Sequence, residues 1–199
     1  MPRLTPRTAR MAGWVAIPAA LLASGLIISQ ASYSAFSSVA ANPASNWTAG
    51  SVAVSDDDGA SALFTATGLK PGSTGTKCIA VTSTGTLASA VRFYGTNSST
   101  TNALNSYITL AVTQGSGGTF GSCTGFTPLA TGSSVYSGTL ASFGATASNY
   151  ASGLGTWTPT GTASETRVYR IVYTVDSATP NTAQGGTAAI SFTWEAQNS

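Results

Sequence analysis

The feature that most constrains the fold is a two-residue alternation of apolar and polar side chains in several short segments. The clearest case is residues 188–196, whose apolar side chains all fall on one face: Ala188, Ile190, Phe192, Trp194 and Ala196. Successive side chains of a strand point to opposite faces of a sheet, so this spacing predicts a β-strand with one buried face. Trp194 is therefore expected in the core.

Other segments show the same period and add up to a fold class. Residues 106–113 and 168–175 alternate clearly. Weaker candidates for strands are 49–54, 61–66, 77–83, 87–94 and 134–138. Helical signals are poor, since only 138–144 suits one short turn. Stretches rich in Gly, Ser and Thr predict loops at 95–105, 114–133 and 145–163. Many short strands without long helices predict an all-β, antiparallel β-sandwich.

The N-terminal region has the order of a secretory signal peptide. Residues 1–10 are basic, residues 11–28 are uncharged and mostly apolar, and small residues follow. This order predicts a signal peptide over 1–34, with the remainder exported. The apolar stretch of 18 residues is also at the lower limit for spanning a bilayer. An uncleaved membrane anchor is therefore the alternative.

Composition excludes several classes of function. Only 7% of the residues are charged, against roughly 25% in typical soluble domains. Three of the eight basic residues lie in the predicted leader, so the remainder is nearly neutral and has no basic face for nucleic acid. The sequence has no histidine, which excludes Ser-His-Asp and Cys-His catalysis and two-histidine zinc sites. No catalytic residue, cofactor or metal is assigned.

Two small constellations remain. Cys78 and Cys123 lie in the exported part, where an oxidising environment favours a disulfide between them. Two separate buried thiols are the alternative. Asp56, Asp57 and Asp58 precede Gly59 and form the acidic cluster of the chain. A solvated turn is favoured over a calcium site, since no other acidic residue lies nearby in sequence to complete the ligands.

Three motifs, taken together, resemble the TasA/camelysin family. The first is the small-residue cleavage region and the strand that follows it, within 32–54. The second is the Leu-Lys-Pro-Gly turn in 68–73, followed by a strand and the turn 83–87. The third is the closing segment 190–197. Members of this family are exported, are processed by the SipW type of signal peptidase, and build fibres of the biofilm matrix.

The resemblance implies a jelly-roll-like β-sandwich at 48–199, cleavage between Ser34 and Ala35, and a role as a secreted or cell-surface structural protein. Residues 35–47 would then form an extended segment that is donated as a strand to the next subunit of a homopolymer. The apolar anchors of that donor strand would be Phe36, Val39 and Ala41. No nucleic-acid partner is expected, and the membrane is contacted only through an uncleaved leader.

Two other functions stay open at this point. The first is a monomeric surface protein or adhesin with the same fold, which binds a ligand through its long loops. The second is a secreted protease of the camelysin kind. The absence of histidine argues against the protease.

The cleavage site gives a direct test. We expect N-terminal sequencing of the secreted protein to begin at Ala35, followed by Phe36, because the small residues at 32 and 34 suit a signal peptidase. A sequence that begins at residue 1 or 2 would instead indicate a retained anchor.

Overall fold

A computed structural model describes residues 48–198. The predicted signal peptide, its cleavage point at Ser34 and Ala35, and the predicted donor segment 35–47 lie outside the described residues. Among residues 48–198, no helix has the length and apolar character that crossing a membrane requires.

The described chain forms two antiparallel sheets. In chain order the strands are β1 (Val54–Asp56), β2 (Thr74–Ser83), β3 (Ser89–Thr100), β4 (Ile108–Ser116), β5 (Thr127–Pro128), β6 (Ser134–Thr139), β7 (Leu154–Trp157), β8 (Glu165–Val175) and β9 (Ala188–Asn198). The larger sheet has the order β1-β2-β8-β4, with β5 and β6 both paired to β4. The smaller sheet has the order β7-β3-β9. The two sheets enclose one core, so the predicted all-β class and two-sheet arrangement are confirmed.

The core lies between the facing apolar sides of the two sheets. The alternation predicted for 168–175 is present, because Tyr169 and Ile171 of β8 are buried on the inner side. A short helix, α1 (Leu140–Thr146), places Phe143 against the same core, with no exposed surface. The Thr139 side chain caps this helix by accepting the Ser142 N–H at 3.1 Å.

Aromatic rings fill the centre of the core. Phe93 of β3 lies 5.1 Å from Phe143 and 4.9 Å from Trp194, measured between ring centroids. Tyr169 lies 5.2 Å from Trp194. Each of these rings removes a large apolar area from water, which is the main favourable contribution to folding.

A disulfide joins Cys78 to Cys123, the pairing expected from the sequence. It ties the loop after β4 to β2, and the Gly121 N–H donates to the Cys78 carbonyl beside it at 2.8 Å. The Arg170 guanidinium lies over the Phe126 ring of the same loop, 4.8 Å from its centroid. The loop therefore covers part of the outer face of the larger sheet.

Several predicted boundaries were wrong. Of the predicted strand 49–54, only Val54 lies in a strand, as the first residue of β1. Residues 61–66 form no strand in the described structure. All three predicted loops contain strand residues. Within 114–133, β4 continues to Ser116 and pairs there with β5. Residues 95–100 continue β3 through an irregularity at Asn97, whose φ is 53°, because β9 offers a partner there. Within 145–163, β7 forms by pairing with β3.

Removing the disulfide should lower the free energy of unfolding by about 4 kcal/mol, because the reduced unfolded chain gains the entropy of a loop of 44 intervening residues. Urea denaturation of the protein with and without reductant measures this. A variant with both Cys78→Ser and Cys123→Ser serves as the control, since reductant should not change its midpoint. An equal midpoint for the native protein in both conditions would contradict the expectation.

Candidate interaction groove beside strand β9

Strand β9 has one paired edge and one edge without a partner strand among residues 48–198. It pairs with β3 over its whole length, from Ala188 opposite Thr100 to Asn198 opposite Ser89. No strand among residues 48–198 is hydrogen-bonded to its other side, although β1 comes within contact distance of β9. The backbone N–H and C=O groups that this edge directs outward therefore have no partner strand within the described residues.

A cavity of about 530 Å³ opens beside this edge, between the two sheets. On one wall are the half-buried inner side chains of β9: Ile190, Phe192 and Trp194. The opposite wall comes from the larger sheet and α1: Ile79, Ile108, Leu110, Leu140 and Tyr173. The side chains that line the space are mainly apolar, which is typical of a binding groove.

A second cavity, of about 750 Å³, continues the first beyond the start of β9. Both cavities are lined by Ala66, Leu69, Ile108 and Ala188, so they adjoin. From Ala188 to Trp194 the strand itself rises about 20 Å. We call the two cavities and the free edge of β9 the β9 groove.

The connection between β1 and β2 forms the rim of the β9 groove opposite β9. Its half-buried apolar residues, Leu63, Phe64 and Leu69, line the cavities. The Phe64 ring contacts Tyr173 edge to face, with 5.2 Å between ring centroids. The lining residues that carry a charge are Asp58 and Lys70. The first cavity therefore suits an apolar, uncharged occupant, whereas the second is also lined by polar side chains such as Asn181 and Gln184.

Trp194 was predicted to lie in the core, and it does pack against the buried core residues. It contacts Phe93 and Tyr169, yet it is half-buried and lines the groove. Alternation shows which side chains share a face, but it does not show whether a neighbouring strand covers them. The groove itself was not predicted, since it depends on which strand ends a sheet.

The acidic cluster is used by the fold. The Asp57 carboxylate accepts the backbone N–H groups of Ala80 at 2.8 Å and Phe120 at 2.7 Å, so it ties β2 to the disulfide loop. Asp58 accepts the Ala60 N–H at 2.6 Å, next to Gly59, whose φ is 58°. Burial raises the pKa of Asp56 above its usual range. These residues form the predicted turn. The two hydrogen bonds by which Asp57 links β2 to the disulfide loop were not predicted.

The remaining carboxylates are bound locally and apart from one another. Glu165 accepts the backbone N–H of Thr160 at 2.6 Å, and Asp176 accepts that of Ala178 at 2.8 Å. In the part of the chain that the structure describes, no three His, Cys, Asp or Glu side chains come together as a metal site would require.

Glu195 lies on the outer face of β9, where it accepts a hydrogen bond from the Tyr94 hydroxyl at 2.7 Å. This bond, with a second from Gln197 at 2.8 Å, lowers the pKa of Glu195. The same bond raises the pKa of Tyr94. The pair connects β9 to β3 on the side away from the groove.

No protein-family model and no curated protein matches this chain. The groove is therefore interpreted from its own geometry.

Replacing Tyr94 by Phe should raise the pKa of Glu195 towards its usual range, because the strongest hydrogen bond to the carboxylate is lost. A depressed carboxyl pKa gives stability that is present above the usual pKa and is lost as the pH falls through the lowered value. Titration of the Glu195 carboxyl carbon by NMR measures the shift.

Tyr150→Phe is the matched control, since the Tyr150 hydroxyl donates to the Ala90 carbonyl at 3.0 Å and not to Glu195. An unchanged Glu195 titration in the Tyr94→Phe variant would show that the Tyr94 bond does not set this pKa.

Proposed function

We propose that the exported protein assembles into extracellular fibres of a biofilm matrix by strand donation, on a jelly-roll-like sandwich. The segment 35–47 of one subunit would lie in the β9 groove of the next. The edge of β9 that has no partner strand within residues 48–198, beside an apolar cavity, is the observation that carries this proposal. A donated strand would satisfy the free backbone groups and cover the half-buried side chains at once.

The order of the strands supports the jelly-roll component of the proposal. The chain alternates between the two sheets from β2 to β3 to β4, and again from β7 to β8 to β9. As a result, β8 lies between β2 and β4, strands far apart in sequence. Crossing connections of this kind are typical of Greek-key and jelly-roll sandwiches.

The proposed donor matches the groove in length and charge. Residues 35–47 contain no charged side chain. This suits the groove, because just two of its lining residues, Asp58 and Lys70, are charged. Residues 35–42, the part before Pro43, extend over about 26 Å, close to the length of β9 that lines the groove. Pairing would end at Pro43, whose nitrogen carries no hydrogen. Of the predicted anchors, Val39 and Ala41 share one face of a strand and are proposed to enter the groove, whereas Phe36 falls on the opposite face.

The start of the described chain favours donation to a neighbour over folding back. The Ser51 carbonyl accepts the N–H groups of Thr86 and Leu87, at 2.8 and 3.1 Å, next to the start of β3. The start of β3 pairs with the end of β9, at Asn198. A preceding segment laid along its own β9 would therefore run parallel to it. A segment from a second subunit is free to run antiparallel, like every pair in both sheets.

Head-to-tail donation of this kind does not close on itself, so it produces filaments. The leader fits the same scheme. A segment still joined to residues 1–34 would remain with the apolar leader, so cleavage after Ser34 by a signal peptidase of the SipW type would permit assembly. We assign no catalytic role, since the carboxylates at Glu165, Asp176 and Glu195 are each bound by nearby groups.

Deleting residues 35–43 from the mature protein should reduce fibre yield at least tenfold, because the acceptor groove would remain without a donor. A synthetic peptide of residues 35–47 should also inhibit assembly of the intact mature protein, whereas a scrambled peptide should not. Electron microscopy and sedimentation measure both effects.

A pair of variants tests the acceptor. Ile190→Lys places a charge in the groove and should prevent assembly, while Thr193→Lys lies on the outer face of the same strand and should not. Circular dichroism checks that both variants fold.

Fibres of unchanged yield from the deletion variant would refute strand donation.

A further inference from the structure

We propose that the β9 groove holds its occupant from both sides, with residues 61–66 serving as a second acceptor strand that forms only on assembly. This inference rests on the proposed function. The smaller sheet would then grow from β7-β3-β9 to five strands, with the donated strand lying between β9 and 61–66.

Over eight residues, the backbone of the groove rim has no hydrogen-bond partner among residues 48–198. Within the described structure, no N–H or C=O group of residues 62–69 takes part in a hydrogen bond. The nearest bonded groups flank the stretch: the Ser61 N–H donates to the Asp58 carbonyl at 3.1 Å, and the Lys70 N–H donates to the Ser73 hydroxyl at 3.0 Å. Solvent-exposed loops tolerate such groups, but they remain available to a partner strand.

The same segment has the sequence pattern of a strand. Residues 61–66 are among the weaker strand candidates of the sequence, with Ala62, Phe64 and Ala66 on one face, yet they form no strand in the described subunit. A strand pattern becomes a strand only where a neighbour supplies its ladder of hydrogen bonds. What residues 61–66 lack is therefore a partner strand, since their sequence already suits a strand.

The fold holds both ends of this segment in place beside the groove. On the N-terminal side, the Asp57 carboxylate binds the N–H groups of Ala80 and Phe120. On the C-terminal side, the Gly72 N–H donates to the Val175 carbonyl at 3.0 Å, and the Val175 N–H donates to the Ser73 carbonyl at 2.8 Å. The middle is free while the ends are fixed, which reduces the entropy that pairing would cost.

The groove joins the two acceptors. The inner side chains of β9 and the side chains of Leu63 and Phe64 line the same cavity of about 530 Å³. A strand lying in this space along β9 has its second edge facing residues 61–66. The unpaired backbone groups on both rims then account for both edges of one incoming strand.

Hydrogen exchange measured by mass spectrometry tests the inference. Mature protein is held below its assembly concentration and mixed with excess synthetic peptide of residues 35–47, or with a scrambled peptide as control. We expect the 35–47 peptide to slow amide exchange at least tenfold in both β9 and residues 62–66. Protection of β9 alone would overturn the two-sided groove and leave strand donation intact. Protection of neither would overturn both.

Proline variants separate hydrogen bonding from simple covering. Successive N–H groups of a strand point to opposite sides, so positions 62 and 65 face opposite ways. Proline removes the N–H. We therefore expect one of Ala62→Pro and Thr65→Pro to weaken binding of the labelled 35–47 peptide at least tenfold, and the other to change it less than threefold.

The matched controls keep the N–H at the same positions. Ala62→Ser and Thr65→Ala should bind the peptide like the native protein, and urea denaturation should show that all four variants stay folded, since neither N–H is bonded in the described subunit. Equal peptide affinity for both proline variants, whether unchanged or reduced, would overturn the assignment of 61–66 as a strand.

Discussion

Backbone groups on a strand edge need a partner or water, and in this molecule that requirement falls on the outer edge of β9. Its inner side chains belong to the core, because Phe93 and Tyr169 pack against Trp194. Its outer edge opens onto an apolar cavity. One edge of β9 is therefore hydrogen-bonded to β3, and the other edge has no partner strand among residues 48–198. The groove and the proposed assembly both follow from that asymmetry.

The rest of the structure makes the open edge possible without loss of the fold. The larger sheet surrounds β8 with β2 and β4, and the disulfide fastens a loop over its outer face. Asp57 adds a second attachment between that loop and β2. These contacts stabilise the larger sheet, while β9 of the smaller sheet has an edge without a partner strand among residues 48–198. A low density of charge would also let the subunits of the proposed fibre approach closely.

Local sequence patterns predicted strands correctly where the segment has a partner strand within the same subunit. The alternation in 168–175 and 188–196 located β8 and β9, and Thr139 marks the start of α1 at the predicted short turn. Two of the errors share one cause. Residues 95–100 became a strand because β9 pairs with them, and 61–66 did not because no described strand does. Pairing over long distances in the chain overrode local preference in both cases.

The sequence by itself determined the all-β class, the faces of the long strands and the chemistry that the absence of histidine excludes. The sequence also favoured a disulfide between its two cysteines, although it was compatible with two free thiols as well. Only the tertiary structure decided that β9 ends its sheet, that Trp194 lines a groove and that Asp57 joins two distant segments. Periodicity records which side chains share a face, whereas an edge, a cavity or a clasp is defined by neighbours that lie far away in the chain.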